Sequence, residues 1–385
     1  MGNRLDTIRA GIPAFAYFYT VGSIGFWLPL YAKNLGWPYL YVTLLSTVYF
    51  IAVTPSTVLA GALADLTGKP NIILSTGMAL NALTSALMAH IEDPPSMLIV
   101  RTVQGISLSV SIPLALGSLS LMHGVARGVA FTAVFSGAGM AAGAAISGIL
   151  INYHGFQPLF YSTAAISMLA AIASLTWSLP VSLKRTEGFL EALKKVKPGV
   201  FIFMAALVMR NFFASGVFSI ISIVFTRLIG LNPIATGIAL SVNPLIQSLW
   251  SSMIYRIVRG KEAILYSLGI LGGALVFKLY LIADNLPIAL AAQALLGISY
   301  GTMVVSGNSY IISKSPERIR YTASSFYGFA FNLGWILGTI IAGPYMDLYG
   351  PREWVHLASI GLIFTSITPL STLLLESKES KAQVF

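Results

Sequence analysis

The sequence contains no cysteine and has few charged residues. The absence of cysteine from its 385 residues excludes disulfide bonds, thiolate nucleophiles and cysteine-ligated metal sites. Charged residues make up 9% of the chain, whereas a soluble protein has about a quarter. Hydrophobic residues make up 56%, and the mean hydropathy is +0.81. This composition excludes a soluble globular domain and predicts an integral membrane protein.

Acidic residues are the scarcer charged class, and they avoid the apolar runs. All thirteen fall in predicted loops or at predicted helix ends. An enzyme embedded in a membrane would need paired buried carboxylates, an HExxH motif or a nucleophile with its base. The sequence has no such set, so we expect no catalytic residue, no metal site and no cofactor.

The basic residues outnumber the acidic ones and give a formal net charge of +10. A nucleic-acid surface would need them clustered on one solvated face together with exposed aromatic residues. Here most of them stand in short gaps between apolar runs. We therefore exclude a nucleic-acid partner and expect the chain to be surrounded by a lipid bilayer.

Twelve apolar runs are long enough to cross a bilayer, whose core of about 30 Å needs about 20 helical residues. The predicted spans are 11–32, 39–61, 71–91, 96–121, 128–152, 158–179, 200–225, 234–256, 263–283, 287–312, 322–345 and 354–375. The first run is too long for the apolar part of a signal peptide and lacks a small-residue cleavage site, so we interpret it as a retained helix. The predicted fold class is all-α and integral to the membrane.

The distribution of lysine and arginine predicts the orientation, because cytoplasmic loops hold the excess of them. With both termini inside, seventeen of the 23 basic residues fall in inner segments and three in outer loops. The other three, Arg101, Arg210 and Lys278, lie within predicted helices. The sequence thus predicts a multi-pass protein of the cytoplasmic membrane with both termini cytoplasmic.

The longest polar interruption divides the chain into two six-helix halves. It predicts an N-terminal half at 1–179, a cytoplasmic linker at 180–199 and a C-terminal half at 200–385. "TGKPNIILSTG" from Thr67 aligns with "RGKEAILYSLG" from Arg259, which indicates an internal repeat. At a nearly identical offset, three glycines align with three others: Gly139, Gly143 and Gly148 with Gly334, Gly338 and Gly343.

Three motifs resemble those of the major facilitator superfamily of transporters, and the likeness extends over nearly the whole chain. "GALADLTGKP", Gly61 to Pro70, is similar to the family signature between helices 2 and 3, with departures at Leu66 and Pro70. "RTVQGI" from Arg101 resembles a helix 4 motif, and "GMAAGAAISG" from Gly139 resembles the glycine-rich helix 5 motif of exporters. The resemblance implies two pseudo-symmetric halves that open alternately to the two sides of the membrane.

The same resemblance implies a conformational latch at the inner end of helix 2. The latch residues would be Gly61, Asp65, Gly68 and Lys69, with Asp65 facing the positive N-terminus of helix 11, around 322–325, when the inner side is closed. The alternative is a tight turn in which Asp65 and Lys69 are only solvated. For the six aligned glycines, the resemblance implies close helix packing that seals one side of the carrier.

Cations within the membrane are the strongest candidates for a substrate site, since ionisable residues are costly there. Arg210 lies near the middle of helix 7 and is followed by Asn211. Arg101 either contacts substrate or supports helix packing, whereas we expect Lys278 to snorkel or to pair with Asp284. Further candidate substrate-binding residues are Gln104, Asn243, Gln247, Asn308 and Asn332, and aromatic residues that line a cavity or only pack are Tyr17, Trp27 and Trp335.

These cations lack a buried counter-charge in the sequence, and an anionic substrate would supply one. The first hypothesis is therefore a secondary transporter for a small organic anion, a carboxylate or a phosphate ester. The alternatives are an exporter of lipophilic compounds, on the motifs of helices 4 and 5, and a non-transporting sensor with the same fold. We expect a monomer, and the sequence leaves substrate identity, direction and coupling to a proton open.

Overall fold

The computed structural model describes residues 4–176, 198–315 and 320–373, without the side chains at 4–5, 61–62, 65, 125–126 and 320–326. Every regular element in this part of the chain is helical, and none of its residues is in a strand. The predicted fold of twelve transmembrane helices is confirmed. We call the face at which helix 1 begins the inner face, following the charge prediction.

The helices of the N-terminal half begin and end as follows. Helix 1 is Arg4–Thr20, a π-helical turn Val21–Gly25, and Phe26–Asn34; helix 2 is Tyr39–Thr67; helix 3 is Pro70–Met88; helix 4 is Pro94–Leu108 with Ser111–His123; helix 5 is Val125–His154; and helix 6 is Gln157–Leu175.

The described part of the C-terminal half also contains six helices. Helix 7 is Pro198–Phe218, Ile221–Ile223 and a π-helical turn Val224–Leu228; helix 8 is Pro233–Val258; helix 9 is Glu262–Ile282; helix 10 is Leu286–Ser313; helix 11 is Arg320–Tyr349; and helix 12 is Pro351–Ile367 with a 3₁₀ turn Thr368–Leu370. The predicted linker lies outside the described residues except for its last two positions.

Ten of these helices are individually long and apolar enough to cross a membrane. The other two are helices 1 and 8. Helix 1 is divided by its π-helical turn into pieces of 17 and 9 residues, and helix 8 carries polar side chains such as Asn243 and Gln247. Both pack lengthwise against helix 5, so they belong to the same bundle.

Proline explains the breaks in helices 1 and 4. A proline inside a helix has no N–H to donate, and its ring clashes with the carbonyl four residues earlier. Pro29 stands four residues after Gly25, where the π-helical turn ends. Pro113 stands four residues after Ser109, where the first part of helix 4 stops. The sequence runs predicted both helices but not these interruptions.

Side chains cap three helices at the outer face. Asp93, Asn232 and Asn285 accept hydrogen bonds from backbone N–H groups at the starts of helices 4, 8 and 10. The bond from Ser96 to Asp93 is 2.9 Å long, and it lowers the pKa of that carboxyl group. Each cap satisfies a backbone donor that a helix start leaves unpaired.

Helix pairing follows the same order in the two halves. In the N-terminal half, helix 1 packs on helix 5, helix 2 on helix 4, and helix 3 on helix 6. In the C-terminal half, helix 7 packs on helix 11, helix 8 on helix 10, and helix 9 on helix 12. Between the halves, helix 2 packs on helix 11 and helix 5 on helix 8. The surface between the halves is thus built mainly from these four helices.

The aligned glycines occupy equivalent places in this packing. A side chain at Gly139 or Gly143 would overlap the backbone of helix 1, and one at Gly334 or Gly338 would overlap that of helix 7. These four positions pack inside a half.

The third aligned pair packs between the halves instead. A side chain at Gly148 would lie 2.5 Å from the carbonyl oxygen of Pro233 on helix 8. One at Gly343 would overlap Leu40 and Thr43 on helix 2. Both helix pairs that join the halves therefore contain a glycine at a place where the two helices approach closely.

Candidate substrate site between the two halves

Arg210 is 3% exposed in the middle of helix 7. Its Nη1 donates to the Asn211 Oδ1 at 2.7 Å, and the Asn211 amide donates in turn to the carbonyl of Phe331 on helix 11. The guanidinium carbon lies 4.9 Å from the ring centre of Tyr300 and 5.6 Å from that of Phe218. Within the part of the chain that the structure describes, no carboxylate forms an ion pair with Arg210.

Other donors near Arg210 have no hydrogen-bond acceptor. The hydroxyl groups of Tyr266 and Tyr327 interact electrostatically with the guanidinium, and both are buried without a hydrogen-bond partner among the described residues. The indole Nε1 of Trp335 on helix 11 is buried and unpartnered in the same sense. Buried polar groups are normally paired, so these three buried donors, which no acceptor among the described residues engages, are available to a ligand.

Arg101 belongs to a separate cluster in the N-terminal half. It is 7% exposed, donates to the Gln104 Oε1, and stands 4.4 Å from the ring centre of Tyr49. The Gln104 amide donates to the Ser85 hydroxyl at 3.2 Å, and the Tyr49 hydroxyl donates to Tyr17. Gln104 is therefore engaged with Arg101 in the N-terminal half. The Nε of Arg101 is buried and has no hydrogen-bond partner among the described residues.

The predicted amides on helices 8, 10 and 11 are half-buried. Asn243 has an unpartnered buried Oδ1, and its backbone, like that of Gln247, lies against Gly297 of helix 10. The Asn308 amide donates to the carbonyl of Val304 in its own helix. Asn332 lies on helix 11, one residue from Phe331. The structure thus gives none of these amides a hydrogen bond to Arg210.

Lys278 and Trp27 lie away from this region. Lys278 is half-buried beside a groove of about 390 Å³ that side chains of helices 9 and 12 form. Of the two expectations for Lys278, snorkelling or a pair with Asp284, the structure shows no ion pair between these two described residues. The Asp284 carboxylate accepts a hydrogen bond from its neighbour Asn285. Trp27 is fully buried and donates to the carbonyl of Ala144, so it packs helix 1 on helix 5.

At the predicted inner latch the structure describes the turn at Gly68 but not the side chain of Asp65. Gly68 ends helix 2 with φ +63°, a conformation that favours glycine, and its N–H donates to the carbonyl of Ala64. Lys69 is exposed just before helix 3. The side chain of Asp65 and those at 322–325 lie outside the described set, so the latch stays a prediction.

At the outer face another acid joins the halves. The Asp347 carboxylate, on the last turns of helix 11, accepts hydrogen bonds from the backbone N–H groups of Tyr39 and Leu40, at 2.7 Å and 2.9 Å. These are the first two residues of helix 2. Beside this contact, Arg227 of helix 7 donates to the Asn34 side chain of helix 1 at 2.8 Å. The outer ends of the two halves are therefore linked.

Further contacts between the halves extend toward the middle of the helices. They are a hydrogen bond between the Thr47 and Thr339 hydroxyls (2.7 Å), one from Ser241 to the Ala141 carbonyl (2.9 Å) and one from Ser248 to the Ala133 carbonyl (3.1 Å). The last of these lies beyond the middle, in the inner parts of helices 5 and 8. The structure is closed on the outer face.

Sequence reasoning missed Asp347. Its position in the sequence indicated a role, since an acid in the last turns of a helix opposes the dipole of that helix and needs a positive partner elsewhere. The aromatic residues Tyr49, Phe50, Phe218 and Tyr300 were also missed, because aromatic residues in a membrane protein are most often packing or interfacial residues.

Comparisons with known proteins agree with this architecture. The family model described as Major Facilitator Superfamily matches residues 11–339. The quinolone resistance protein NorA of Staphylococcus aureus (strain MRSA252) is 21% identical over 345 residues, which cover 87% of this chain and 88% of NorA. The protein MdtD of Enterobacter sp. (strain 638), whose name assigns it to multidrug resistance, is 28% identical over 167 residues. That match covers 42% of this chain and 35% of MdtD, so the chain matches about a third of that relative's length.

Solved structures show the same fold at low sequence identity. The nucleoside transporter NupG has a TM-score of 0.78 and 16% identity, covering 96% of this chain and 98% of that one. A second solved structure is a bacterial homolog of the human lysosomal transporter Spinster, in an inward-facing and unoccupied conformation. It has a TM-score of 0.75 and 12% identity, and the match covers 97% of this chain and 96% of that one.

Proposed function

Because this chain belongs to the Major Facilitator Superfamily, we propose that it is a secondary transporter that carries a small organic anion across the cytoplasmic membrane by alternating access. Arg210 is the observation that carries the choice of an anion. A guanidinium in the middle of a membrane costs about 2.5–3.5 kcal/mol on insertion scales. Among the described residues it donates one hydrogen bond, to a neutral amide, which leaves most of its donors for a ligand.

The groups around Arg210 support the same ligand class. The hydroxyl groups of Tyr266 and Tyr327 and the indole N–H of Trp335 can all donate to an anion, and each lacks an acceptor among the described residues. A guanidinium stays charged at any accessible pH and can hold a carboxylate or a phosphate with two parallel bonds. A bound anion would supply both the counter-charge and the missing acceptors.

The closed outer face supports one step of the transport cycle. In this state Asp347 links helix 11 to the start of helix 2 at the outer face. In the opposite state we propose that Asp65 caps helix 11 at the inner face. The pair of helices 2 and 11 would then carry two acidic residues: Asp347 would stabilise the closed outer face, and Asp65 would stabilise the closed inner face.

Efflux of lipophilic compounds is the second candidate function. The names of NorA and MdtD, which refer to drug resistance, favour it, as do the half-buried rings near Arg210. An exporter for lipophilic cations would need an embedded carboxylate, and we find none in the described transmembrane helices away from their ends. We therefore place this function second.

Binding by purified protein in nanodiscs, and uptake into proteoliposomes, test the proposal with a panel of carboxylates, phosphate esters and lipophilic cations. We expect Arg210→Ala to weaken anion binding by about 10- to 100-fold, since hydrogen bonds to charged groups contribute about 1.5–3 kcal/mol. Arg210→Lys should lose part of that affinity because a lysine lacks the planar fork. Lys278→Ala is the matched control and should bind normally. Unchanged anion affinity in Arg210→Ala would contradict the anion site.

A further inference from the structure

A continuous series of aromatic rings connects the two buried arginines across the boundary between the halves. We call it the aromatic row, and its members are Tyr49, Phe50, Trp335 and Phe218. Arg101 stands over the Tyr49 ring at 4.4 Å, at one end of the row. Arg210 stands 5.6 Å from the ring centre of Phe218, at the other end.

Neighbouring rings in this row are in contact. Tyr49 and Phe50 meet edge to face with their centres 5.3 Å apart. Phe50 of helix 2 and Trp335 of helix 11 are 4.7 Å apart and join the two halves. Trp335 and Phe218 are stacked, with 21° between their planes and 6.2 Å between their centres. These spacings are typical of favourable aromatic pairs.

The row lies at mid-helix depth on the boundary between helices 2 and 11. The next contact outward on the same two helices is the Thr47–Thr339 hydrogen bond, and toward the inner end Val58 and Leu59 of helix 2 are exposed. Phe50, Trp335 and Phe218 are only half-buried, although Tyr49 is 4% exposed. The rings of Phe50, Trp335 and Phe218 thus keep part of their surface uncovered at mid-helix depth.

The partly exposed rings of the aromatic row lie beside the donors that have no hydrogen-bond partner. Trp335 belongs to the row, and its Nε1 is one of the buried donors without a partner. Phe218 adjoins both Trp335 and Arg210. A ligand that lies against Trp335 would therefore have a cation beside it, and its own plane could cover the exposed ring faces.

We propose that the transported anion is aromatic: a planar ring that carries a carboxylate or phosphate group. The ring stacks on Trp335 and Phe50, and the acid group binds Arg210. This inference rests on the proposed function and narrows its substrate class. An aliphatic anion would neutralise Arg210 but leave the rings uncovered, whereas a neutral aromatic compound would leave the cation without a counter-charge.

Two probes of equal charge and similar size test the inference on the wild-type chain in nanodiscs: benzoate and its saturated analogue, cyclohexanecarboxylate. Stacking on two rings predicts about tenfold tighter binding of benzoate. In Trp335→Leu and in Phe50→Leu we expect this preference to fall toward one, because benzoate loses a stacking partner. Trp335→Leu also removes the indole N–H and should weaken the binding of both probes. Phe364→Leu changes an exposed ring of helix 12 and should keep the preference.

The outcomes separate this inference from the proposed function. Equal binding of the two probes, lost in Arg210→Ala, would leave the anion carrier standing and overturn the aromatic class. A benzoate preference that survives both leucine variants would overturn the assignment to the aromatic row. If neither probe binds and lipophilic cations do, the proposed function and this inference both fail.

Discussion

The Asp347 carboxylate accepts a hydrogen bond from the Tyr39 amide at 2.7 Å, although 308 residues separate them in the chain. The acid stands near the C-terminal end of helix 11, where the dipole of its own helix disfavours a negative charge. The positive N-terminus of helix 2 supplies the compensation. Because the two helices belong to different halves, this stabilisation exists only while the outer face is closed.

Asp347→Asn should therefore favour opening of the outer face. Loss of a charge at a helix N-terminus is worth about 0.3–1 kcal/mol at an exposed site, so we expect roughly a two- to fivefold rise in the open-to-closed ratio. Spin labels at Tyr153→Cys and Leu348→Cys, on exposed outer positions of the two halves, report the distance. The chain has no native cysteine that would compete for the label.

Asp284→Asn is the control for that measurement. Asp284 is also an exposed outer acid of the C-terminal half, but its carboxylate bonds only to the adjacent Asn285 among the described residues. It should leave the distance distribution unchanged. An equal shift in both variants would mean that general outer charge, and not the cap on helix 2, governs closure.

Asp65→Asn should act in the opposite direction. If Asp65 caps helix 11 when the inner face is closed, its loss favours the inner-open state and slows turnover without unfolding the carrier. Labels at Val129→Cys and Ser252→Cys, on the exposed inner parts of helices 5 and 8, measure the inner distance. No change there would leave Asp65 as a solvated turn residue.

The sequence predicted the positions of the helices better than it predicted which side chains contact each other. Runs of about 20 apolar residues locate a transmembrane helix by length alone, and Arg210 was identified by its cost in such a run. Gln104 was assigned with Arg210, yet it binds Arg101; their three-residue spacing on one helix already favoured that pair. Asp347 needed knowledge of which helix begins beside it, which depends on tertiary packing.

The topology prediction places residues 180–199 and the C-terminus on the cytoplasmic side. Single cysteines at Ser182 and Ser380 should react with a membrane-impermeant maleimide only from the inner side, and a cysteine at Glu92, in the exposed turn before helix 4, only from outside. Ser315 is a poor site for the same test because it is buried and its hydroxyl bonds to the Ile311 carbonyl. Labelling of Ser182→Cys from outside would contradict the orientation.

The aligned glycines of helices 5 and 11 allow two effects of a substitution to be distinguished: loss of packing within a half and loss of closure between the halves. In this structure, with the outer face closed, a methyl group at Gly148 or Gly343 would meet the opposite half, and we expect that contact to be lost when the outer face opens. Overpacking costs about 1–3 kcal/mol, and that cost would disappear once the outer face opened. The same methyl group at Gly139 or Gly338 would press on a helix of its own half in every state.

We therefore expect Gly148→Ala and Gly343→Ala to shift the outer label distance toward the open state while leaving the melting temperature in detergent nearly unchanged. Gly139→Ala and Gly338→Ala should lower the melting temperature, because no rigid movement of the halves relieves their overlap. Gly117→Ala on helix 4, where a methyl group would meet no atom within 4 Å, is the neutral control. If all four variants lowered the melting temperature equally, the two halves would unfold as one packed unit, and closure would not depend on the Gly148 and Gly343 contacts alone.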